Sequence, residues 1–345
     1  MSTIKDVAML AGVSVSTVSI ILNGKAKERK ISMETQNKIL AAIKALNYRP
    51  NVSAKKLRSM NHKEYTVGVY WASDFRTNFL ARLVTGIQAE ISTYKYPVTI
   101  VICPYKNNYL HLEKGLTNGN TFDAAIIANT SAADTEFLNS TVPKMPVVLY
   151  NRFLDQYNTV TIDNFNAGKK AAMLFIHNQI TDIGAVLFED SSLAMSVESQ
   201  GFIATCNKHG IEIPDEKIIT TENSIYGGVL AAEMFLTRKT CPKAIFCDSD
   251  SLAQGMLHVL NHHHINIPQD VAIIAIGLGN PEANKYSTPP LTVVEIPIEK
   301  IASECIRLIL GVLEHTIATP THICYDTDLI LRDSCRCSTA QASDM

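Results

Sequence analysis

Two hydrophobic rhythms divide this chain, and the change falls near residue 64. Before it, apolar residues recur at helical spacing: Ile4, Val7, Ala8 and Ala11, then Val18, Ile21 and Leu22, then Ile39, Leu40, Ile43 and Leu46. The stop and start signals agree with that spacing. Thr3-x-x-Asp6 has the form of a capping box with the shorter acid, Gly12 closes the first helix, and Ser14 caps a second over Val15 to Leu22. Asn23-Gly24 supplies left-handed residues to end it, Ser32 caps a third helix over Met33 to Leu46, and Asn47 terminates that one. Pro50 then breaks the chain, and Asn51 to Arg58 predicts a short basic helix with too little core to stand alone.

After residue 64 the pattern becomes short, nearly continuous apolar runs. Strands are predicted at 66–71, 97–103, 123–129, 146–150, 183–188, 243–247 and 271–277, separated by amphipathic helices at 80–93, 166–177, 198–209, 226–237 and 249–262. Uniformly apolar strands alternating with helices imply parallel sheets covered on both faces. That many alternations exceed one sheet, so two doubly wound α/β subdomains are expected, with a ligand cleft at the carboxyl ends of their strands.

Composition sharpens this division. The chain has 345 residues, 46% of them hydrophobic, enough for two or three domains with a large core. Its net charge of −2 conceals a polarity: residues 1–63 hold twelve Lys or Arg against three acids, so the remaining 282 residues carry −11. A basic head on an acidic body suits a small polyanion-binding module joined to something else. No apolar run reaches membrane-spanning length, and MSTIKDVAML has no long apolar stretch of a secretory signal, so a cytoplasmic location is expected. The eight cysteines lack paired metal-site spacing and read as thiols, with Cys335 and Cys337 expected to be exposed near the tail.

Two short helices joined by a Gly-containing turn form a helix-turn-helix, which lays its second helix in the DNA major groove. Ser14, Ser16, Thr17 and Ser19 are small hydroxyl residues able to approach phosphates and base edges. The runs TIKDVAMLAGVSVSTVSIILNG, KILAAIKALNYRPN and SAKKLRS closely resemble the head and hinge of the lactose repressor (LacI/GalR) family. The body follows the same family's order, with VGVYW, FDAAIIA, PVVLY, VTIDNFNAG, SQGFIATC, AIFCDSDSLAQGML, IPQDVAIIAIG and LILRDS.

The resemblance implies a head at 1–50, a hinge at 51–63 and an effector-binding, dimerising core at 64–345 similar to periplasmic sugar-binding proteins. Its first subdomain would span about 64–163 and 294–325, and its second about 164–293 and 326–345. It implies that Val15 and Ser16 set sequence preference, that Thr17, Ser19 and Asn23 position the backbone, and that Thr3 and Lys25 reach DNA with them. Lys27, Arg29 and Lys30 would add phosphate contacts. In the hinge it places Asn51, Ala54, Lys55, Leu57 and Arg58 on DNA, with Leu57 wedged between base steps in the minor groove. Ile20 departs from the Arg or His usual in the family; it cannot fork onto guanine but can touch a thymine methyl.

For the cleft, the resemblance implies Phe79, Leu80, Asn129, Asp163, Asn164, Ser192, Ala194, Asp250, Gly279 and Asn280. Relatives that bind sugars or purines usually offer an arginine near 192 or 198 and an aspartate at 279; this chain has Ser192, Glu198 and Gly279. The polar clamp is then expected from Asn151, Arg152, Glu189, Asp190 and Tyr226, or the effector is unusual, or a phosphocarrier-type protein controls the chain. The expected partners are palindromic double-stranded DNA, a second copy of the chain, and a sugar or phosphosugar effector. No heptad segment follows Arg332, which favours two chains over four.

Other chemistry is weak. GLGN at 277–280 lacks dinucleotide-loop spacing, and neither a P-loop nor a nucleophile elbow occurs. His258, His262, His263 and His264 lack a further ligand or base for a metal site, and neither metal nor cofactor is expected. Asp248 and Asp250 are read as capping a helix and meeting ligand hydroxyls, not as a hydrolase pair. The chain is therefore expected to be a regulator and not an enzyme, with an exported solute-binding protein as the weaker alternative.

Overall fold

The computed structural model describes residues 3–22, 26, 29–46, 63–72, 77–118, 121–188, 193–239 and 241–335. The head contains α1 (Ile4–Ala11), α2 (Val15–Leu22) and α3 (Met33–Ala45). Thr3 and Asp6 complete the predicted capping box, with Asp6 accepting from Thr3 N at 2.7 Å and Thr3 Oγ1 accepting from Asp6 N at 3.3 Å. Gly12 takes φ +65, where the left-handed turn favours glycine, and α2 leaves at 106° to α1. Val7, Ala8, Val18, Ile39 and Ala42 make the small buried core. Leu40, expected in that core, is 56% exposed, because the inward face of α3 is completed by Ile39, Ala42 and Ile43 instead.

The body alternates strand and helix: β1 (Tyr65–Ala72), α4 (Thr77–Ile91), β2 (Val98–Tyr105), α5 (Lys114–Asn118), β3 (Ala124–Ala128), α6 (Ala132–Ser140), β4 (Val147–Tyr150) and β5 (Asn158–Ile162). Then follow α7 (Asn164–His177), β6 (Ile183–Phe188), α8 (Leu193–Lys208), β7 (Ile218–Thr221), α9 (Ile225–Arg238), β8 (Ala244–Cys247), α10 (Asp250–His262) and β9 (Ala272–Gly277). The chain ends through α11 (Pro281–Lys285), β10 (Thr292–Glu295), α12 (Ile298–Leu313), β11 (His322–Tyr325) and β12 (Asp328–Ile330).

Among the described residues, two six-stranded sheets form, in orders β11-β5-β4-β3-β1-β2 and β12-β10-β9-β8-β6-β7. All pairings are parallel except β10 with β12. These are the two α/β subdomains expected, and the chain passes between them three times: after β5, after β10 and after β11. The expected return at 294 falls inside β10, all four of whose residues pair with β9, so the passage comes after Glu295. Cys335, expected to be exposed, is fully buried, beneath the end of the second sheet where its carbonyl accepts from Thr292 Oγ1 at 3.2 Å.

Apolar helix faces close both sides of each sheet. The pair α4 and α12 approaches so closely that a Cβ on Gly86 would lie 2.2 Å from the Glu299 carbonyl oxygen. Only glycine permits that crossing. Gly86→Ala is expected to separate the two helices and destabilise the body by about 1–3 kcal/mol, the usual range for overpacking; urea unfolding of the two proteins measures it, and equal midpoints would contradict the close-packing argument.

Candidate effector cleft and DNA-binding face

In the head, Ser14 Oγ accepts from Thr17 N at 3.1 Å and sits 2.7 Å from Ser16 Oγ and 2.8 Å from Thr17 Oγ1. One hydroxyl thus caps α2 and orders its first turn. Val15 packs partly on the head core, whereas Ser16 is exposed and Ile20 is half-buried outside that core. The face carrying Ser16 and Ile20 is therefore separate from the face that holds the head together. Arg29 and Lys30 are exposed. Asn23, Lys25, Lys27, Asn51, Ala54, Lys55, Leu57 and Arg58 lie outside the described residues.

In the body, the predicted cleft residues do follow strand ends, but they form two groups. A cavity of about 470 Å³ sits where the chain first crosses between sheets, lined by Asn151, Arg152, Phe153, Thr161, Ile162, Asn164, Val197 and β11. Its polar wall is built from a reciprocal amide pair: Asn151 Nδ2 donates to Asn164 Oδ1 at 3.0 Å, and Asn164 Nδ2 donates back to Asn151 Oδ1 at 3.1 Å. Asn151 takes φ +49, which turns the chain after β4 and aims that amide at the crossover. Arg152 is buried, with Nε and Nη2 donating to the Thr130 carbonyl at 3.2 and 2.8 Å and Nη1 to the Asn151 carbonyl at 2.6 Å. His322 also lines it, its ring 4.9 Å from Phe153 and its Nδ1 3.0 Å from Thr159 Oγ1.

The second group surrounds Asp250. This carboxylate is 1% exposed and accepts from Gly279 N at 3.0 and 2.9 Å and from Asn284 Nδ2 at 2.7 Å. A Cβ at Gly279 would meet both Asp250 oxygens at 2.9 Å, so the carboxylate that relatives place at 279 has its space filled here from 250. Asp250, expected to meet ligand hydroxyls, is enclosed, with the Gly279 amide and the Asn284 side chain as its donors. The helix cap expected from Asp248 or Asp250 is Ser249, whose Oγ accepts from Leu252 N at 3.3 Å. Asp248 is spent elsewhere, accepting from Ser199 Oγ at 2.7 Å and Phe188 N at 3.3 Å.

Sequence reasoning overlooked the cation beside this group. Arg82 of α4 donates from Nε and Nη2 to both oxygens of Glu299 at 2.6 and 2.8 Å, and from Nη1 to the Gly279 carbonyl at 3.2 Å. Its Nη2 also lies 2.7 Å from Glu295 Oε1, an ion pair without hydrogen-bond alignment. Burial disfavours the Arg82 charge, yet Glu299 and Glu295 hold its pKa above the ordinary value. Burial raises the Asp250 and Glu295 carboxyls, with Asn284, Gly279 and Arg82 opposing it at the first and Arg82 at the second. Glu299 ends below its usual range because Arg82 outweighs burial. The available signal was a lone charge inside an apolar run, Arg82 in NFLARLVTGI and Glu295 in LTVVEIP.

The remaining expected residues are dispersed. Phe79 is buried between Trp71, tilted against it at a centroid distance of 5.2 Å, and Tyr150, edge-on at 5.6 Å, and Leu80 packs partly on the same core. Asn129 has φ +60 and donates to the Ala72 carbonyl at 3.5 Å. Asp163 caps α7 and Asn280 caps α11 through the amides of Asn166 and Glu282, each at 2.9 Å. Glu198 is buried within α8, and Tyr226 is 63% exposed at the start of α9. Glu189, Asp190 and Ser192 lie outside the described residues, as does the side chain of Ala194. Among the described residues no single helix is long and apolar enough to cross a membrane.

Residues 3–51 match the family of bacterial regulatory proteins described as lacI family, and residues 172–335 match the periplasmic binding protein-like domain. A LacI family transcription regulator from Clostridium acetobutylicum is 45% identical, with 78% of this chain and 99% of that one covered and a TM-score of 0.75. The ribose operon repressor of Escherichia coli (strain K12) is 28% identical over 327 residues, 93% of this chain and 94% of that protein. The lac repressor dimer bound to operator and the anti-inducer ONPF shares the fold, at 18% identity and a TM-score of 0.69 over 96% of this chain and 98% of that one.

Burial pushes the Asp248 carboxyl up to about 6 from an ordinary 3.8, against its hydrogen bonds from Ser199 and Phe188. A raised folded-state value means that the folded protein holds the proton more tightly. The associated stability is complete below about 3.8 and is lost as pH rises through about 6. Urea melts between pH 4 and 7 should show that component in the native chain and not in Asp248→Asn; a gap between the two that ignores pH would refute it.

Proposed function

The chain belongs to the LacI family of bacterial regulatory proteins, and on that premise we propose that it is a transcriptional repressor of carbohydrate uptake or breakdown genes. It binds a palindromic operator as a dimer, and a small molecule in the body changes its affinity for DNA. The observation that carries the DNA half of this reading is the outward face of α2, where Ser16 and Ile20 stand clear of the head core while Ser14 orders the turn. In the major groove that face reads DNA by apolar and hydroxyl contacts. Leu57 of the hinge enters the minor groove, and the basic residues around α2 hold phosphates.

Dimer symmetry accounts for a palindromic site. It is supported by the edge strand β2, on which Val101 and Ile102 are each 37% exposed, an edge that a second copy can cover. The effector site is the crossover cavity, where the Asn151 and Asn164 amides offer polar groups between Phe153, Val197 and Ile323. A ligand with an apolar face and few hydroxyls suits those walls. One observation favours the alternative of a phosphocarrier-type protein docking on the body: Asp250 and Arg152, the charged groups a sugar would use, bond within the protein.

Selection from random DNA should recover a two-fold symmetric site, and Ile20→Arg should add a guanine preference in each half-site; an unchanged preference would remove Ile20 from base reading. A melting-temperature panel of sugars, phosphosugars, nucleosides and polyols tests the effector. A ligand that stabilises the native protein should lose its effect on Asn164→Leu. A flat panel, with DNA affinity altered by added phosphocarrier protein, would transfer control to the protein partner.

A further inference from the structure

Helix α12 carries an acid at each end, and the two acids hold different parts of the molecule. At its first turn Glu299 grips Arg82, which also holds the Gly279 carbonyl of the second subdomain and lies against Glu295 at the end of β10. At its other end Glu314, the residue that closes the helix, accepts from Lys63 Nζ at 2.5 Å, Tyr65 Oη at 2.6 Å and Lys95 Nζ at 3.0 Å. Lys63 is the point at which the body receives the segment 47–62 that joins it to the head. Its ammonium also lies 5.2 Å from the Tyr96 ring centroid and 5.7 Å from that of Tyr65, and Lys95 lies 5.0 Å from Tyr96.

A carboxylate at a helix C-terminus opposes the helix dipole. Glu314 is therefore held by its partners and not by the helix, and hydrogen bonds from Lys63, Tyr65 and Lys95 draw its carboxyl down to about 2. Between the two acids α12 is a stiff element. Ile301, Ala302, Cys305, Ile306, Leu308, Ile309 and Leu310 are all buried, and Gly86 lets the backbone of α4 rest on the Glu299 carbonyl. Sixteen residues of α-helix span about 24 Å. A packed helix cannot shorten, so a shift of one end that follows the second subdomain must move the other or break its contacts.

We propose that α12 is the coupling element between cleft and head, and that Glu314 is a positioning residue for operator binding that fixes where the linker leaves the body. This rests on the reading of the chain as a DNA-binding regulator. It adds a route by which the relative placement of the two sheets, sensed at Arg82 and Glu299, reaches the linker at Lys63. None of Lys63, Tyr65, Lys95 and Glu314 lines the effector cavity.

The test turns on a sign. Glu314→Gln removes a negative charge, which by electrostatics alone leaves DNA affinity equal or higher. Loss of positioning predicts the reverse for the specific site. With the full-length protein and the operator recovered by selection, Glu314→Gln should bind operator about tenfold more weakly, within the usual range of coupling effects, while affinity for random DNA holds or rises. Tyr65→Phe, which removes one donor without a charge change, should weaken operator binding by a smaller factor and serves as the second variant if Glu314→Gln does not fold. Glu299→Gln combined with Glu314→Gln should cost less than the product of the two single losses, since both interrupt one path; independent sites this far apart multiply. Unchanged or tighter operator binding by Glu314→Gln and Tyr65→Phe, or losses that multiply, would overturn the proposal. Failure of the native protein to select any DNA would instead refute the regulator reading.

Discussion

The relation between the two subdomains depends on neutralising buried carboxylates at the crossover after β10. Glu295 and Glu299 lie within five residues of each other where the chain leaves the second sheet, and Asp250 sits nearby with its charge fully enclosed. Arg82 answers them from the first subdomain. Its guanidinium is planar and forked, so it can hold Glu299 with two hydrogen bonds and still reach the Gly279 carbonyl. Removing Arg82 would leave Glu295, whose side chain is only 14% exposed, without its counter-charge. The same pair contributes little relative to a well-packed apolar substitute. What it supplies is geometry, since hydrogen bonds prefer one placement of the sheets and an apolar contact tolerates several.

This arrangement also explains the departures from family pattern in the cleft. Glycine at 279 and an enclosed aspartate at 250 are one feature, not two, because the Asp250 oxygens fill the space that a side chain at 279 would need. Once Asp250 takes the Gly279 amide and Asn284, the polar wall moves to the Asn151 and Asn164 amides and to His322, on the other side of the crossover. The cavity there is bounded by Phe153, Val197 and Ile323 as much as by polar groups. Recognition of an effector there, as proposed, would rest on shape and a few hydrogen bonds.

The head works at a different scale. Five buried side chains support three helices, so each cap matters: the Thr3–Asp6 box, Gly12 in the left-handed region, and Ser14 and Ser32 at the starts of α2 and α3. A core this small leaves most of α2 outside it. Ser16 and Ile20, proposed to read DNA, therefore stand apart from the residues that hold the fold, and Ile20 can differ from the family without disturbing either neighbour helix.

The head was largely legible in the sequence because its signals are local. A capping box, a glycine turn and a helical apolar period act within about a dozen residues, and the structure places each where the sequence put it, apart from Leu40. The uniformly apolar strands were equally clear, since AAIIA and AIIAIG are bounded apolar runs of the kind buried on both faces of a parallel sheet. Strands β5, β7, β10, β11 and β12 were not anticipated, because NTVTI, IITT, TVVE, HICY and DLI are short or half polar and become strands only when a neighbour supplies the ladder. The site was legible only as chemistry. Sequence gave the residue types at strand ends, but Arg82 meets Glu299 from 217 positions away, Tyr65 meets Glu314 from 249, and Asp250 meets Gly279 from 29. Periodicity is written into neighbouring residues. Which charge finds which depends on how the sheets and helices pack, and that was decided only in the tertiary structure.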